Sequence, residues 1–283
     1  MVLLSPWKSH PLSDLLRSRP PAPLAKLAIE TEANAAAEVQ PAPSLDESSS
    51  PAICQPVEPQ IIEPQITAIN SRVSSWLTPI AYGLGAVVLP TYFRIQVTGQ
   101  ENLPQEGAVI LAPTHRARWD SLLVPYAVGR FVTGRDLRFM VSANEMAGFQ
   151  GWLIQRLGGF PVNPRRPAIA SLRYGVEILQ NREMLVIYPE GNIFRDQKLR
   201  SLKPGLARMA LQAEASKPDL GIKVVPIHLE YSQPFPKWGC KVNIAIGKPL
   251  EVQSYRQGSV KQSAQHLTED LETALRQLGG QPV

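Results

Sequence analysis

The sequence predicts an α/β fold in which a mainly parallel sheet is covered by helices on both sides. Two observations predict it. From residue 95 onward, short apolar runs without polar alternation recur, as expected of strands buried on both faces. Stretches with helical spacing separate them, and strands that alternate with helices favour parallel pairing. No internal repeat is visible.

Residues 1–70 read as a disordered tail, rich in Pro, Ala and Ser. They carry 11 of the 27 prolines, and "QPAPSLDESSSPAICQPVEPQIIEPQ" offers no sustained apolar period with which to offset ordering entropy. The opening "MVLL" is too short for a secretory signal, and the acidic residues argue against a transit peptide. Residues 71–94 form a hydrophobic, membrane-interacting segment. Within it, 21 residues from Val73 to Phe93 carry no charge, but Pro79, Gly83, Gly85 and Pro90 interrupt the run. Trp76, Tyr82, Tyr92 and Phe93 favour the headgroup region, which points to an interfacial or dipping helix; a buried core helix is the competing reading.

Residues 95–283 are the α/β domain. Strands are expected at 108–114 and 137–143, with a helix at 120–128 between them. A helix over 149–158 stops at Gly158-Gly159, and 159–164 is a short strand or extended turn. An amphipathic helix follows at 170–182, then a strand at 184–191 ending in Pro-Glu-Gly and a helix at 204–215. Strands at 222–231 and 240–250 precede a last helix over 263–279.

Charge is placed unevenly. Residues 1–70 hold 4 Lys/Arg against 8 Asp/Glu, which leaves 25 against 16 for residues 71–283. The basic part suits phosphate groups, an anionic membrane face or nucleic acid, although ordinary solubility charge reads the same way. Two cysteines are too few for a disulfide framework and match no zinc spacing, so no metal site is expected.

The stretch "APTHRARWDSLLV" holds His115 five positions before Asp120. On a helix, five residues turn the face by about 140°, so the two side chains would point apart. They meet only where the backbone bends, as where a strand end turns into a helix. There a carboxylate on one imidazole nitrogen sets the tautomer and leaves the other nitrogen free as a base. The carboxyl end of a strand is also where α/β sheets place their sites. Alone, the spacing is a weak signal.

Other segments accompany it. Tyr188-Pro189-Glu190-Gly191 ends a second buried strand, Gly158-Gly159-Phe160-Pro161-Val162 precedes Arg165 and Arg166, and Val224-Val225-Pro226-Ile227 lies in a third. Together with "SANEM" at 142–146 and "LKPGLARMA" at 202–210, these resemble the four sequence blocks of the glycerolipid acyltransferases typified by bacterial 1-acylglycerol-3-phosphate acyltransferase. The resemblance covers roughly residues 72 to 250.

The resemblance implies transfer of a fatty acyl group from an acyl thioester to the hydroxyl of a lysophospholipid, with 1-acylglycerol 3-phosphate the first choice and another lysolipid or glycerol 3-phosphate the alternative. It makes His115 the general base and Asp120 the residue that orients it. Phe160, Pro161 and Arg165 or Arg166 then belong to the acceptor-phosphate block, Glu190 and Gly191 help shape the acceptor site, and Val225-Pro226 wall the acyl donor or chain. The co-substrate is acyl-CoA or acyl carrier protein, no other cofactor is implied, and the partners are membrane lipids with the site on the cytoplasmic face. A thioester needs no protein nucleophile when the acceptor itself is activated, so a His–Asp pair without a serine makes chemical sense. Two departures stand in the acceptor blocks. Asn163-Pro164 displace the arginine by one position, and Asn192 stands where the family has threonine, with Arg195 following later.

Competing classes have less support. A lipid hydrolase would want a Gly-x-Ser-x-Gly elbow, and the chain has none. No nucleotide-binding glycine motif or nucleic-acid module is present. A non-catalytic lipid-binding protein would have no need of the His115–Asp120 pair. Arg116, Arg118, Arg165 and Arg166 also read as a solvated basic face, Glu190 as a simple cap, and His228 as a packed strand residue.

Overall fold

The computed structural model describes residues 69, 71–163, 168–217 and 219–281. The tail expected over 1–70 therefore lies outside the described residues, Ile69 excepted. The described chain opens with helix α1 (Leu77–Tyr92) and strand β1 (Arg94–Thr98), followed by β2 (Val109–Pro113), α2 (Asp120–Val128) and a single helical turn, α3 (Arg130–Thr133). Strand β3 (Leu137–Ser142), α4 (Gly148–Arg156), β4 (Gly159–Val162), α5 (Ile169–Gln180) and β5 (Met184–Val186) come next. The chain finishes with α6 (Gly205–Ser216), β6 (Lys223–Tyr231), β7 (Lys241–Ile246), β8 (Leu250–Glu251) and α7 (Val260–Leu278).

The strands form one sheet in the order β1-β7-β6-β2-β5-β3-β4, with β8 on β6. Pairing is parallel except where β6 meets β7 and β8. The β6–β7 exception follows from its connection: a short loop without a helix can join only antiparallel neighbours. Apolar runs without alternation are explained by two buried faces. Ile110, Leu185 and Val224 face the α5–α6–α7 side with Ile178, Met209 and Leu271, whereas Val109, Leu111, Val186 and Val225 join Leu89 of α1 and Leu123 of α2 on the other. Burying each such aliphatic side chain stabilises by about 1.5–3 kcal/mol.

Several expected boundaries move. The strand expected over 184–191 stops at Val186, because the chain then turns at Tyr188, whose carbonyl accepts from the Gly191 N–H at 3.1 Å. The last helix begins three residues early, at Val260, where Ser259 and Gln262 form a reciprocal capping box. Edge strand β1, with its RIQVT alternation, was missing from the expected set. The interruptions expected in the uncharged segment do not break α1. Pro79 sits in its first turn, where no N–H is required, and Pro90 lies near its end. No described helix is long and apolar enough to cross a membrane.

Candidate active site

The strand order brings three chain segments together. β2 lies between β5 and β6, so the loop after β2 meets the loop after β5 and the carboxyl end of β6. Residues 114–119 form the bend anticipated between His115 and Asp120, and Asp120 is the first residue of α2.

The bend closes the pair. His115 Nδ1 lies 2.8 Å from Asp120 Oδ2, which also accepts the backbone N–H groups of Arg116 at 2.6 Å and Ala117 at 2.9 Å. The other oxygen, Oδ1, accepts the Tyr231 hydroxyl from the end of β6. Three donors thus already point at this fully buried carboxylate, and Nδ1–H completes the set. No described residue hydrogen-bonds to Nε2, and the His115 side chain remains 19% exposed while that of Asp120 is 0% exposed. The pair can therefore offer a basic nitrogen to a ligand while its partner stays dry.

The imidazole also stacks on Tyr188, with ring centroids 4.0 Å apart and planes at 20°. Burial, and then the nearby Asp120 carboxylate, push the Tyr188 and Tyr231 phenols above their ordinary range, so both stay neutral; the Tyr231 hydroxyl donates to Asp120, and that of Tyr188 is buried without a partner among the described residues. Replacing Tyr231 with Phe leaves Asp120 Oδ1 without that donor. Stability should fall by about 1–3 kcal/mol, read from urea unfolding; an unchanged midpoint would show that the hydroxyl contributes nothing.

Arg116 is not part of a solvated basic face. It is 1% exposed, and its Nη1 donates to Glu190 Oε2 at 2.7 Å and, at 3.4 Å, to the carbonyls of His115 and Phe194. The Phe194 N–H in turn donates to the His115 carbonyl at 2.8 Å. A buried ion pair and two backbone contacts thus clamp the β2–α2 loop to the loop after β5. Burial pushes the Glu190 carboxyl upward against the pull of Arg116. Glu190 faces this guanidinium inside the protein, and it is more than a cap. Arg116 Nε and Nη2 and Glu190 Oε1 are buried without a hydrogen-bond partner among the described residues. The sequence showed both residues but not their pairing, because 74 positions separate them.

The other expected site residues lie in varied surroundings. Gly191 has φ 71°, and a Cβ there would come within 2.6 Å of Lys203 Nζ, so glycine allows that exposed lysine to lie across the loop. Phe160 is fully buried, edge-on to Tyr174, and the Ser171 hydroxyl donates to the Pro161 carbonyl at 2.9 Å. Arg165 and Arg166 lie outside the described residues. Val225 and Pro226 pair with Leu111 and Ala112, inside the sheet and upstream of His115; the β6 residue that reaches the pair is Tyr231. His228 is packed in β6, where burial and then Arg116 lower its pKa to about 4, leaving it uncharged at neutral pH.

Residues 94–230 match the family model described as Acyltransferase. Among individual relatives, a 1-acyl-sn-glycerol-3-phosphate acyltransferase from Streptococcus pneumoniae is 22% identical over 153 residues, covering 52% of this chain and 51% of its own length. The chain thus spans about half of that relative. A Bacillus subtilis protein of the same description is 24% identical over 203 residues, covering 68% of this chain and 92% of its own. A Saccharomyces cerevisiae glycerol-3-phosphate O-acyltransferase is 33% identical over 76 residues, 27% of this chain and 10% of its own. In three dimensions the chain is similar to the crystal structure of a 1-acyl-sn-glycerophosphate acyltransferase, PlsC, from Thermotoga maritima. That likeness has a TM-score of 0.55 and 20% identity, and covers 73% of this chain and 81% of the other.

Proposed function

From the match of residues 94–230 to the Acyltransferase family model, together with the likeness to two bacterial 1-acyl-sn-glycerol-3-phosphate acyltransferases and to a PlsC structure, we propose that the protein is a PlsC-type acyltransferase that transfers a fatty acyl group from an acyl thioester to the free hydroxyl of a lysophospholipid. The observation that carries this reading is a partly exposed imidazole whose Nδ1 is held by a buried carboxylate. Nε2 takes the proton of the acceptor hydroxyl as its oxygen attacks the thioester carbonyl, and Asp120 stabilises the imidazolium that results. Collapse of the tetrahedral intermediate breaks the C–S bond, and the imidazolium returns the proton to the departing thiolate. The ester and a free thiol leave, and His115 is restored.

The acceptor proposed first is 1-acylglycerol 3-phosphate, in keeping with the descriptions of the two bacterial relatives. Another lysolipid or glycerol 3-phosphate is the second choice, the latter in keeping with the description of the yeast relative. The donor is acyl-CoA or the acyl thioester of acyl carrier protein. A panel of both donors against these acceptors, with purified full-length protein in detergent, tests the reading. Acceptor-dependent ester formation is expected; release of fatty acid and thiol at a rate independent of acceptor would refute it.

Membrane association on the cytoplasmic face belongs to the same reading. Trp76, just before α1, together with Ile80, Leu84 and Val87 is 59–67% exposed, and the spacing of four, four and three aligns these residues along one face. Exposed Arg72 and Arg94 flank the uncharged stretch.

Arg165 and Arg166 are proposed to hold the acceptor's phosphate. Changing both to Gln should raise KM for a phosphate-bearing acceptor about tenfold to a hundredfold, since charge-assisted hydrogen bonds contribute about 1.5–3 kcal/mol. KM for the thioester should stay near its parent value. A rise in the donor constant instead would transfer these arginines to the donor's phosphates.

A further inference from the structure

We propose that the β6–β7 hairpin tip, with Phe235, Lys237 and Trp238, is a second membrane anchor that seats on an anionic phospholipid bilayer beside α1. The inference rests on the proposed action at a membrane and extends it to a segment remote in sequence from the uncharged helix.

Phe235 and Trp238 are 67% and 72% exposed, and Lys237 between them is exposed too. Turns ordinarily take small polar residues, so two large aromatics at this tip call for a reason other than chain reversal. Trp beside Lys is a pairing suited to the headgroup layer, where the ring is half-solvated and the ammonium meets phosphate. Arg195, also exposed, holds its guanidinium 5.1 Å from the Phe235 ring centre.

The tip is continuous with α1. The Gly239 N–H donates to the Tyr92 carbonyl at 2.8 Å, and the Arg94 N–H donates to the Cys240 carbonyl at 3.0 Å. Trp238 packs edge-on to Tyr92 at 5.3 Å, and Tyr92 stacks on Trp119 at 5.2 Å. Trp119 directly precedes Asp120 in the loop that carries His115. A row of three aromatic rings therefore joins the hairpin tip, the last turn of α1 and the catalytic loop. Charge selects the occupant. Arg94, Lys237 and Arg195 are exposed around this end of the helix, whereas exposed Asp196 is paired with Arg200 and Glu145 with Arg118. A cationic rim around aromatic side chains fits an anionic lipid surface.

The test uses full-length protein and sedimentation with vesicles of equal parts phosphatidylcholine and phosphatidylglycerol. Phe235→Ser/Trp238→Ser should lower the partition constant about tenfold or more, from the apolar area no longer buried. Raised salt should weaken parent binding. Phe235→Ser alone, which leaves the Tyr92–Trp238 contact in place, should give an intermediate loss. Transfer to a short-chain, water-soluble acceptor should be unchanged in Phe235→Ser, which leaves the Trp238–Tyr92–Trp119 row intact. Parent-level partition in either folded variant overturns the anchor, as does a loss of self-association with vesicle binding intact, which would make the tip a protein interface. If the parent transfers no acyl group at all, the proposed function fails, but the vesicle measurement still decides the anchor.

Discussion

His115→Ala should lower turnover by about 10²–10⁴-fold, the usual contribution of general base catalysis, while KM for both substrates and vesicle binding change little. The imidazole is 19% exposed and, among the described residues, its ring hydrogen-bonds to Asp120 alone, so truncation removes a stacked ring and a base without opening the hydrophobic core. Asp120→Asn should be impaired to a similar degree by a different route. Its amide cannot accept four donors with a full charge, and it no longer stabilises the imidazolium. It should also cost stability, because Asp120 is buried and holds the Arg116 and Ala117 N–H groups as well as the Tyr231 hydroxyl. The two losses of turnover should not add, since either change disables the same unit. Single-turnover assays paired with thermal melts check this. A His115→Ala protein that folds and transfers at the parent rate would end the proposed mechanism.

Glu190→Gln is expected to destabilise the protein by about 3–5 kcal/mol, a large share of the 5–15 kcal/mol that holds a domain together. The reason is the partner it abandons. Arg116 and Glu190 both have side chains 0% exposed, and the amide can still accept from Arg116 but leaves the buried guanidinium without a counter-charge, supported otherwise by two long carbonyl contacts. Arg116→Met should fall in the same range, since it strands the carboxylate instead. The double variant Arg116→Met/Glu190→Gln should recover much of the lost stability, because no unpaired charge is then buried. Turnover should not recover with it, as the clamp between the His115 loop and Phe194 is gone. Urea unfolding of all four proteins measures the coupling directly. Single variants within 1 kcal/mol of the parent would show that the pair contributes no net stability, and a double variant with full turnover would show that it does not position His115.

Local patterning determined most of the frame. Strands buried on two faces announce themselves as unbroken apolar runs, which is why β2, β3 and β6 were expected within a residue or so of their observed ends. The five-residue gap between His115 and Asp120, across a strand-to-helix bend, was readable for the same reason: both residues belong to one short loop with its own geometry. What the sequence could not show is which strands stand side by side. A strand that is apolar on both faces fits either neighbour equally well, so the order placing β2 between β5 and β6 exists only in the folded sheet. That order sets Tyr231 on an aspartate 111 positions away and pairs Arg116 with Glu190 across 74. It also changes what the residue types mean. An arginine in "HRARW" fits a solvated face as readily as a buried one, and a glutamate in "YPEG" carries no sign of its partner; burial made the two each other's counter-charge.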